Sequence, residues 1–349
     1  MSFTFGNLQR LIRQNMSHGC KLGEALNNLR KENQLCDTIV SVGGRPFPAH
    51  KSVLAASSCY FLEKFTSGAE VGAGGDGNSA DGDVSIGGKP EIFETLLEFA
   101  YTGRLKISEE TKSNIIEMAG YMRFSDEICA ECIKSKSPPA DYTKKLLEAL
   151  NDFKTQNQLC DVVVNVSGRS FRAHKIVLAA NSKYFLAMFT SGFKEKGESE
   201  IKIEGNPDIF GILLGYLYTG KLKVAVKTIC AILEMACYMQ FLEARSACAK
   251  YIRSKYKPEE SKAKSRAAKA KADKAAKVPI PLGEVCKVWE IAHSNGLKKL
   301  ADVTEKYLCK LFKELMTLDA FLEMGSADFF KQFLKQEDLA TEEEEKEVS

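Results

Sequence analysis

Residues 34–68 read QLCDTIVSVGGRPFPAHKSVLAASSCYFLEKFTSG, and residues 158–192 read QLCDVVVNVSGRSFRAHKIVLAANSKYFLAMFTSG. Aligned without gaps, 24 of these 35 positions are identical, at an offset of 124 residues. The match starts earlier, with Glu24-Ala25-Leu26-Asn27 against Glu148-Ala149-Leu150-Asn151. It resumes as Tyr101-Thr102-Gly103 against Tyr218-Thr219-Gly220, now at an offset of 117. Ile116-Glu117-Met118-Ala119 then matches Leu233-Glu234-Met235-Ala236. A period this long marks a duplicated globular domain rather than a stack of short repeats.

Each copy has a readable order of elements. An amphipathic helix leads; in the second copy Leu146, Leu147, Leu150 and Phe153 share one face. A β-branched run follows, Thr38-Ile39-Val40 or Val162-Val163-Val164. Gly44-Arg45 and Gly168-Arg169 make a hairpin turn, with Phe47 or Phe171 on the return strand. From His50 to Phe65, and from His174 to Phe189, apolar residues recur at helical spacing. Val84-Ser85-Ile86 and Ile201-Lys202-Ile203 read as a third strand. A helix over 90–101 or 207–218 carries proline in its first turn and glycine just past its end. Two more helices close the copy. The pattern predicts an α+β domain, a small mixed sheet covered by helices, present twice.

Composition narrows the class. The chain has 349 residues, 44% hydrophobic and 27% charged, enough to bury a sizeable core in two or three domains. The net charge of +3 argues against a whole-surface nucleic-acid binder. No run approaches 18 apolar residues, so no membrane-spanning helix is expected. Arg10 and Arg13, with no acid before Glu24, weakly resemble a mitochondrial presequence. A lead-in helix using Phe3, Leu8, Leu11 and Ile12 is the better reading of 1–23. Eleven cysteines, an odd number, point to free thiols in a reducing compartment, cytoplasmic or nuclear.

The string L-C-D-x-x-V, then F-x-A-H-K-x-V-L-A-A-x-S-x-Y-F, then F-T-S-G, then Y-T-G, resembles a BTB/POZ domain. The copies occupy 24–136 and 148–256, with a linker at 137–147 around Pro138-Pro139. The chain is similar to the kelch-like family of cullin-3 adaptors, with no kelch propeller expected in it. Residues 257–279 form a basic linker: from 257 to 277 there are eight Lys or Arg against three acids. A solvated linker is expected there, with a nuclear-localisation element or nucleic-acid arm as alternatives. Beyond it, 280–339 carries apolar residues at three- and four-residue spacing around Trp289. This all-α region resembles the start of a BACK domain, and the acidic 340–349 is expected to be a disordered tail.

Candidate chemistry is sparse. Cys129 and Cys132 form a lone C-x-x-C without the second pair or the histidines that a zinc site requires. Gly72, Gly74 and Gly77 match G-x-G-x-x-G, but an acidic, helix-breaking stretch follows instead of a helix N-terminus. No metal or cofactor is expected. His50 and His174 lack a nucleophile motif, so each is read as a histidine that caps or anchors a helix start. The expectation is a non-enzymatic adaptor.

The resemblance implies where partners bind. Phe193-Lys194-Glu195, after F-T-S-G in the second copy, resembles the hydrophobic-x-Glu element through which BTB adaptors engage cullin-3. An aromatic can fill an apolar pocket while the carboxylate gives a directional contact. The first copy has Ala69-Glu70-Val71 and then a glycine-rich stretch, so it is expected to bind cullin-3 poorly. BTB domains commonly dimerise, which implies interface roles for Leu22, Leu26 and Leu29, for Leu146, Leu150 and Phe153, and for Asp37 and Asp161. Pairing within the chain, homodimers and higher oligomers all stay open, and the recruited target is not identified. An oligomeric scaffold of transcriptional or cytoskeletal type, without ligase function, is the alternative.

Overall fold

The structure is a computed structural model that describes residues 17–66, 83–105, 107–124, 142–190, 199–225, 228–256 and 282–310. The first copy runs α1 (His18–Lys31), β1 (Thr38–Val42), β2 (Arg45–Ala49), α2 (Lys51–Ser57), α3 (Cys59–Thr66), β3 (Val84–Ile86), α4 (Pro90–Thr102) and α5 (Glu109–Tyr121). The second repeats it as α6 (Tyr142–Thr155), β4 (Val162–Val166), β5 (Arg169–Ala173), α7 (Lys175–Asn181), α8 (Lys183–Thr190), β6 (Glu200–Ile203), α9 (Pro207–Thr219), α10 (Ile229–Tyr238) and α11 (Leu242–Tyr256). Two further helices follow, α12 (Leu282–Ser294) and α13 (Lys298–Lys310). The described residues fall into two compact units. One extends through Leu222 and includes Met239–Phe241; the other holds Lys223–Tyr238 and the residues from Leu242 onward.

Each copy has a three-stranded mixed sheet. The orders are β2-β1-β3 and β5-β4-β6. The central strand pairs antiparallel with its hairpin partner and parallel with the third strand. Val42 lies opposite Arg45 and Val166 opposite Arg169, leaving two-residue turns. Gly43 and Gly44 both have positive φ, as do Ser167 and Gly168. Such turns match the right-handed twist of the strands they join, and they require φ that glycine adopts freely. Val40, Val42, Val164 and Val166 point into the core and are fully buried.

The single helical run expected from His50 to Phe65 is broken in the structure. α2 ends at Ser57 and α3 begins at Cys59. Ser58 lies between them in extended conformation and forms an isolated bridge with Phe124. Its hydroxyl donates to the Met122 carbonyl and accepts from the Phe61 amide. Ser182 repeats this with Met239 and Phe185. A buried serine that serves backbone groups on both sides competes with continued helix.

The duplicated histidines are anchors rather than caps. Neither His50 nor His174 makes a side-chain cap bond. The cap is the aspartate, since Asp37 Oδ1 accepts from the Lys51 amide and Asp161 Oδ1 from the Lys175 amide, each at 2.7 Å. The imidazoles are buried. Nε2 of His50 is 3.0 Å from the Gln34 carbonyl, which can only accept, so Nε2 carries the proton. Nδ1 then accepts from the Tyr101 hydroxyl at 2.8 Å, and that oxygen accepts from the His50 backbone amide at 2.9 Å. His174, Gln158 and Tyr218 repeat the arrangement at 3.2, 2.9 and 2.9 Å. Cys36 and Cys160 sit beside the two rings, with Sγ 3.8 and 3.9 Å from Nε2.

This Cys–His contact is electrically neutral. Burial pushes each thiol up to about 11 and holds each imidazole down to about 4. Thiolate–imidazolium chemistry needs the reverse shifts. The pair packs; it does not activate a nucleophile.

The second unit holds α12 and α13, which pack as a hairpin with Val285, Val288, Trp289, Leu300 and Leu308 buried. α10 packs on α12, where the Cys230 thiol donates to the Glu284 carbonyl at 3.5 Å. The helix boundaries also differ from the expected segments. α1 starts inside the stretch read as a lead-in, and α6 starts at Tyr142, inside the stretch read as linker. The lead-in residues before 17, the pair Cys129 and Cys132, Gly72 to Gly77, the basic 257–279 segment and the acidic tail lie outside the described residues. Among the described residues no helix is long and apolar enough to cross a membrane, and no cluster of three potential metal ligands occurs.

Removing one hydroxyl tests the anchor. Tyr218→Phe leaves Nδ1 and the amide of buried His174 without their partner. The expected loss is about 1–3 kcal/mol in urea unfolding. An unchanged midpoint would contradict the anchoring role.

Candidate interaction surface

α1 and α6 each carry one apolar face. On α1, Leu22, Leu26 and Leu29 are buried; on α6, Leu146, Leu147, Leu150 and Phe153 are. Their spacing of three and four residues puts each set on one stripe. Each helix packs on its own copy and on the other. α1 lies against α4 of the first copy and against α6 and α7 of the second. α6 lies against α9 of the second copy and against α1 and α2 of the first. The contacts exchange under an approximate two-fold that carries residue n of one helix onto n + 124 of the other.

The first residue of each helix reaches across in the same way. Tyr142 donates its hydroxyl to the Ala100 carbonyl at 2.6 Å and meets the Ser57 hydroxyl at 3.2 Å. Its ring lies 4.8 Å from that of Phe99. His18 donates from Nε2 to the Leu217 carbonyl at 3.0 Å, with its ring 4.8 Å from that of Tyr216. Ala100 and Leu217, and likewise Phe99 and Tyr216, are equivalent positions in the duplication. So a histidine and a tyrosine do one job with different chemistry.

Both side chains come to rest on the glycine of Y-T-G. Gly103 and Gly220 close α4 and α9 in left-handed conformation, φ 69° and 66°. A Cβ on Gly103 would lie 2.7 Å from the Tyr142 ring, and one on Gly220 would lie 3.0 Å from His18 Cβ. These glycines therefore serve twice, as helix stops and as floor for the incoming ring. Sequence reading missed His18 and Tyr142. The available signal was their equivalence at the 124-residue offset, six residues ahead of the matched Glu24 and Glu148.

The two capping aspartates lie close enough to feel each other. Burial, and then the negative charge of Asp37, hold Asp161 up to about 6, against the relief given by the Lys175 amide. Burial raises Asp37 as well, partly offset by the Lys51 amide and charge. Both carboxylates sit at the starts of helices, α2 and α7, where negative charge is favoured. A cavity of about 500 Å³ opens beside the same seam, lined by Cys59, Leu62, Arg123, Asp152, Phe153 and Gln156 among others. Arg123, one of the lining residues, makes a two-pronged ion pair with Glu63, one prong at 2.8 Å. Phe193, Lys194 and Glu195 follow α8 in sequence and lie outside the described residues.

Known proteins resemble the chain in these regions. The BTB/POZ domain family matches residues 26–137 and again 150–256. The family described as BTB And C-terminal Kelch matches 285–349. Human Kelch-like protein 38 is 34% identical over 119 residues, covering 34% of this chain and 20% of the relative. Human Kelch-like protein 6 is 28% identical over 212 residues, covering 60% of this chain and 30% of the relative. The chain thus spans less than a third of the length of either relative. The BTB domain of zebrafish PATZ1 aligns with 34% of this chain and 97% of its own, at 27% identity and a TM-score of 0.31.

The aspartate pair gives a pH prediction. A carboxylate raised to about 6 binds its proton more tightly folded than unfolded, so its ionisation costs stability as pH rises through that value. Asp161→Asn keeps the oxygen that accepts from Lys175 and removes the charge. Asp161 keeps exposed surface, so solvent screens its charge, and the variant is expected to gain at most ~0.5 kcal/mol above pH 6, with the gain vanishing toward pH 4. The check is chemical unfolding of variant and wild type across pH 4–8; a difference independent of pH would contradict the assignment of a charge raised by its neighbours.

Proposed function

The chain belongs to the BTB/POZ family, and on that premise we propose that it is a protein–protein adaptor that pairs its own two BTB copies and offers the second to cullin-3. The observation that carries the pairing is the reciprocal contact set: α1 on α7 and α6 on α2, with His18 and Tyr142 seated on equivalent carbonyls. Leu22, Leu26, Leu29, Leu146, Leu150, Phe153, Asp37 and Asp161 are its proposed interface residues. Burial of the apolar stripes supports this reading, because neither helix could expose its stripe without a cost of about 1.5–3 kcal/mol per large side chain.

The cullin arm rests on the difference between the copies. Phe193-Lys194-Glu195 follows α8, whereas Ala69-Glu70-Val71 follows α3 at the equivalent place. An internally paired chain then presents one competent copy, not two. The BACK match that follows the second copy supports the same direction of assembly. The mechanism is proximity: the adaptor holds a target near a charged conjugating enzyme and does no covalent chemistry itself. Its place of work is proposed to be cytoplasm or nucleus. The target is proposed to bind the first copy, the BACK region or a partner adaptor.

Binding of the full chain to the cullin-3 N-terminal region, followed by titration calorimetry, tests this. Micromolar or tighter affinity at one cullin per chain is expected, with Phe193→Ala and Glu195→Ala each weakening it at least tenfold. No binding by the wild type would overturn the ligase reading and favour a self-associating scaffold.

A further inference from the structure

α1 and α6 touch at their first turns. There the equivalent residues Gly19 and Thr143 lie against each other, as they must near the two-fold. A Cβ built on Gly19 would sit 2.9 Å from the Thr143 carbonyl oxygen and 3.0 Å from its Cβ. Both distances are tighter than packed atoms sustain without displacement. Gly19 lies in the first turn of a helix and its φ is not positive, so close approach explains the glycine. Thr143 is buried, with its hydroxyl 3.5 Å from the Cys20 thiol.

We infer that Gly19 and Thr143 make the two copies selective for each other. The helices come so near that only one of the two partners can carry a side chain at this position. A pair of second copies from two chains would set Thr143 against Thr143 and would have to push the helices apart, breaking the Tyr142 bond to the carbonyl beyond. A pair of first copies would set glycine against glycine and leave a gap, forfeiting contact. The mixed pair fills the space with one side chain. Tethering adds to this, since a partner on the same chain is present at an effective concentration of the order of millimolar.

A neighbouring position is unlike in the same sense. Gly23 brings α1 against the backbone of α4, where a Cβ would lie 2.5 Å from the Tyr101 carbonyl. Its equivalent on α6 is Leu147, which is buried. The two helices are therefore seated differently on their own copies and are not interchangeable halves of a symmetric dimer. The partner that the surface fits is the other copy of the same chain.

This inference rests on the internal pairing proposed above, not on cullin binding. Its test compares the full chain with Gly19→Thr, Thr143→Gly and the double exchange, by sedimentation equilibrium and thermal unfolding. The wild type is expected to sediment at 38.6 kDa across concentration. Gly19→Thr should lower the unfolding midpoint by roughly 5 °C. The double exchange should recover most of that loss, because it moves the missing side chain to the other helix. Gly19→Thr with the wild-type midpoint would overturn the selectivity, and so would a double exchange no better than the single. A wild type at twice the chain mass would overturn the internal pairing itself and leave the cullin reading standing.

Discussion

The seam between α1 and α6 is the constraint on which the first compact unit depends. Each helix has one apolar stripe, too wide for its own copy to cover. Each therefore lies on two surfaces at once, its own α4 or α9 and the other copy's α7 or α2. The two sheets do not join, and no strand passes from one to the other among the described residues. What unites the copies is helix packing, terminated at each end by a ring seated on a glycine.

Much else follows from that seam. The Y-T-G segment stops a helix, follows directly on the carbonyl of Ala100 or Leu217 that receives the other copy's first helical residue, and places Tyr101 or Tyr218 under the buried histidine of its own copy. The histidine in turn holds the turn at Gln34 or Gln158, which follows α1 or α6 directly. A path of hydrogen bonds thus runs from the seam into each core. The capping aspartates sit at the same junction. Both residues keep exposed surface, so solvent screens the repulsion between their charges, and the amides of Lys51 and Lys175 reduce it further.

The duplication, the strands and most helices were legible in the sequence because 24 of 35 aligned positions repeat and the apolar spacing is regular. The stripes of α1 and α6 were legible too, down to Leu26 and Leu150. What covers them was not, because periodicity reports that a face is buried and says nothing of the surface against it. Ser58 and Ser182 were invisible as breaks, since the apolar spacing continues through them and only the bridge to Phe124 or Phe241 reveals the interruption. His50 was read as a possible cap because it stands at a helix start, yet the aspartate thirteen residues earlier folds back to take that place. His18 and Tyr142 escaped because they differ from each other, so that only their place in the 124-residue offset, and not residue identity, marks the shared role.

A disulfide across the seam gives the most direct measurement. Cys20 Sγ already lies 3.5 Å from Thr143 Oγ1. Thr143→Cys in the full chain, prepared as an equal mixture of isotopically heavy and light protein and mildly oxidised, is read by mass spectrometry of the linked peptides. Pairing within the chain predicts a bond from Cys20 to the introduced thiol in which both peptides carry the same label. Mixed heavy–light peptides at half of the total would contradict it and assign the seam to a contact between chains.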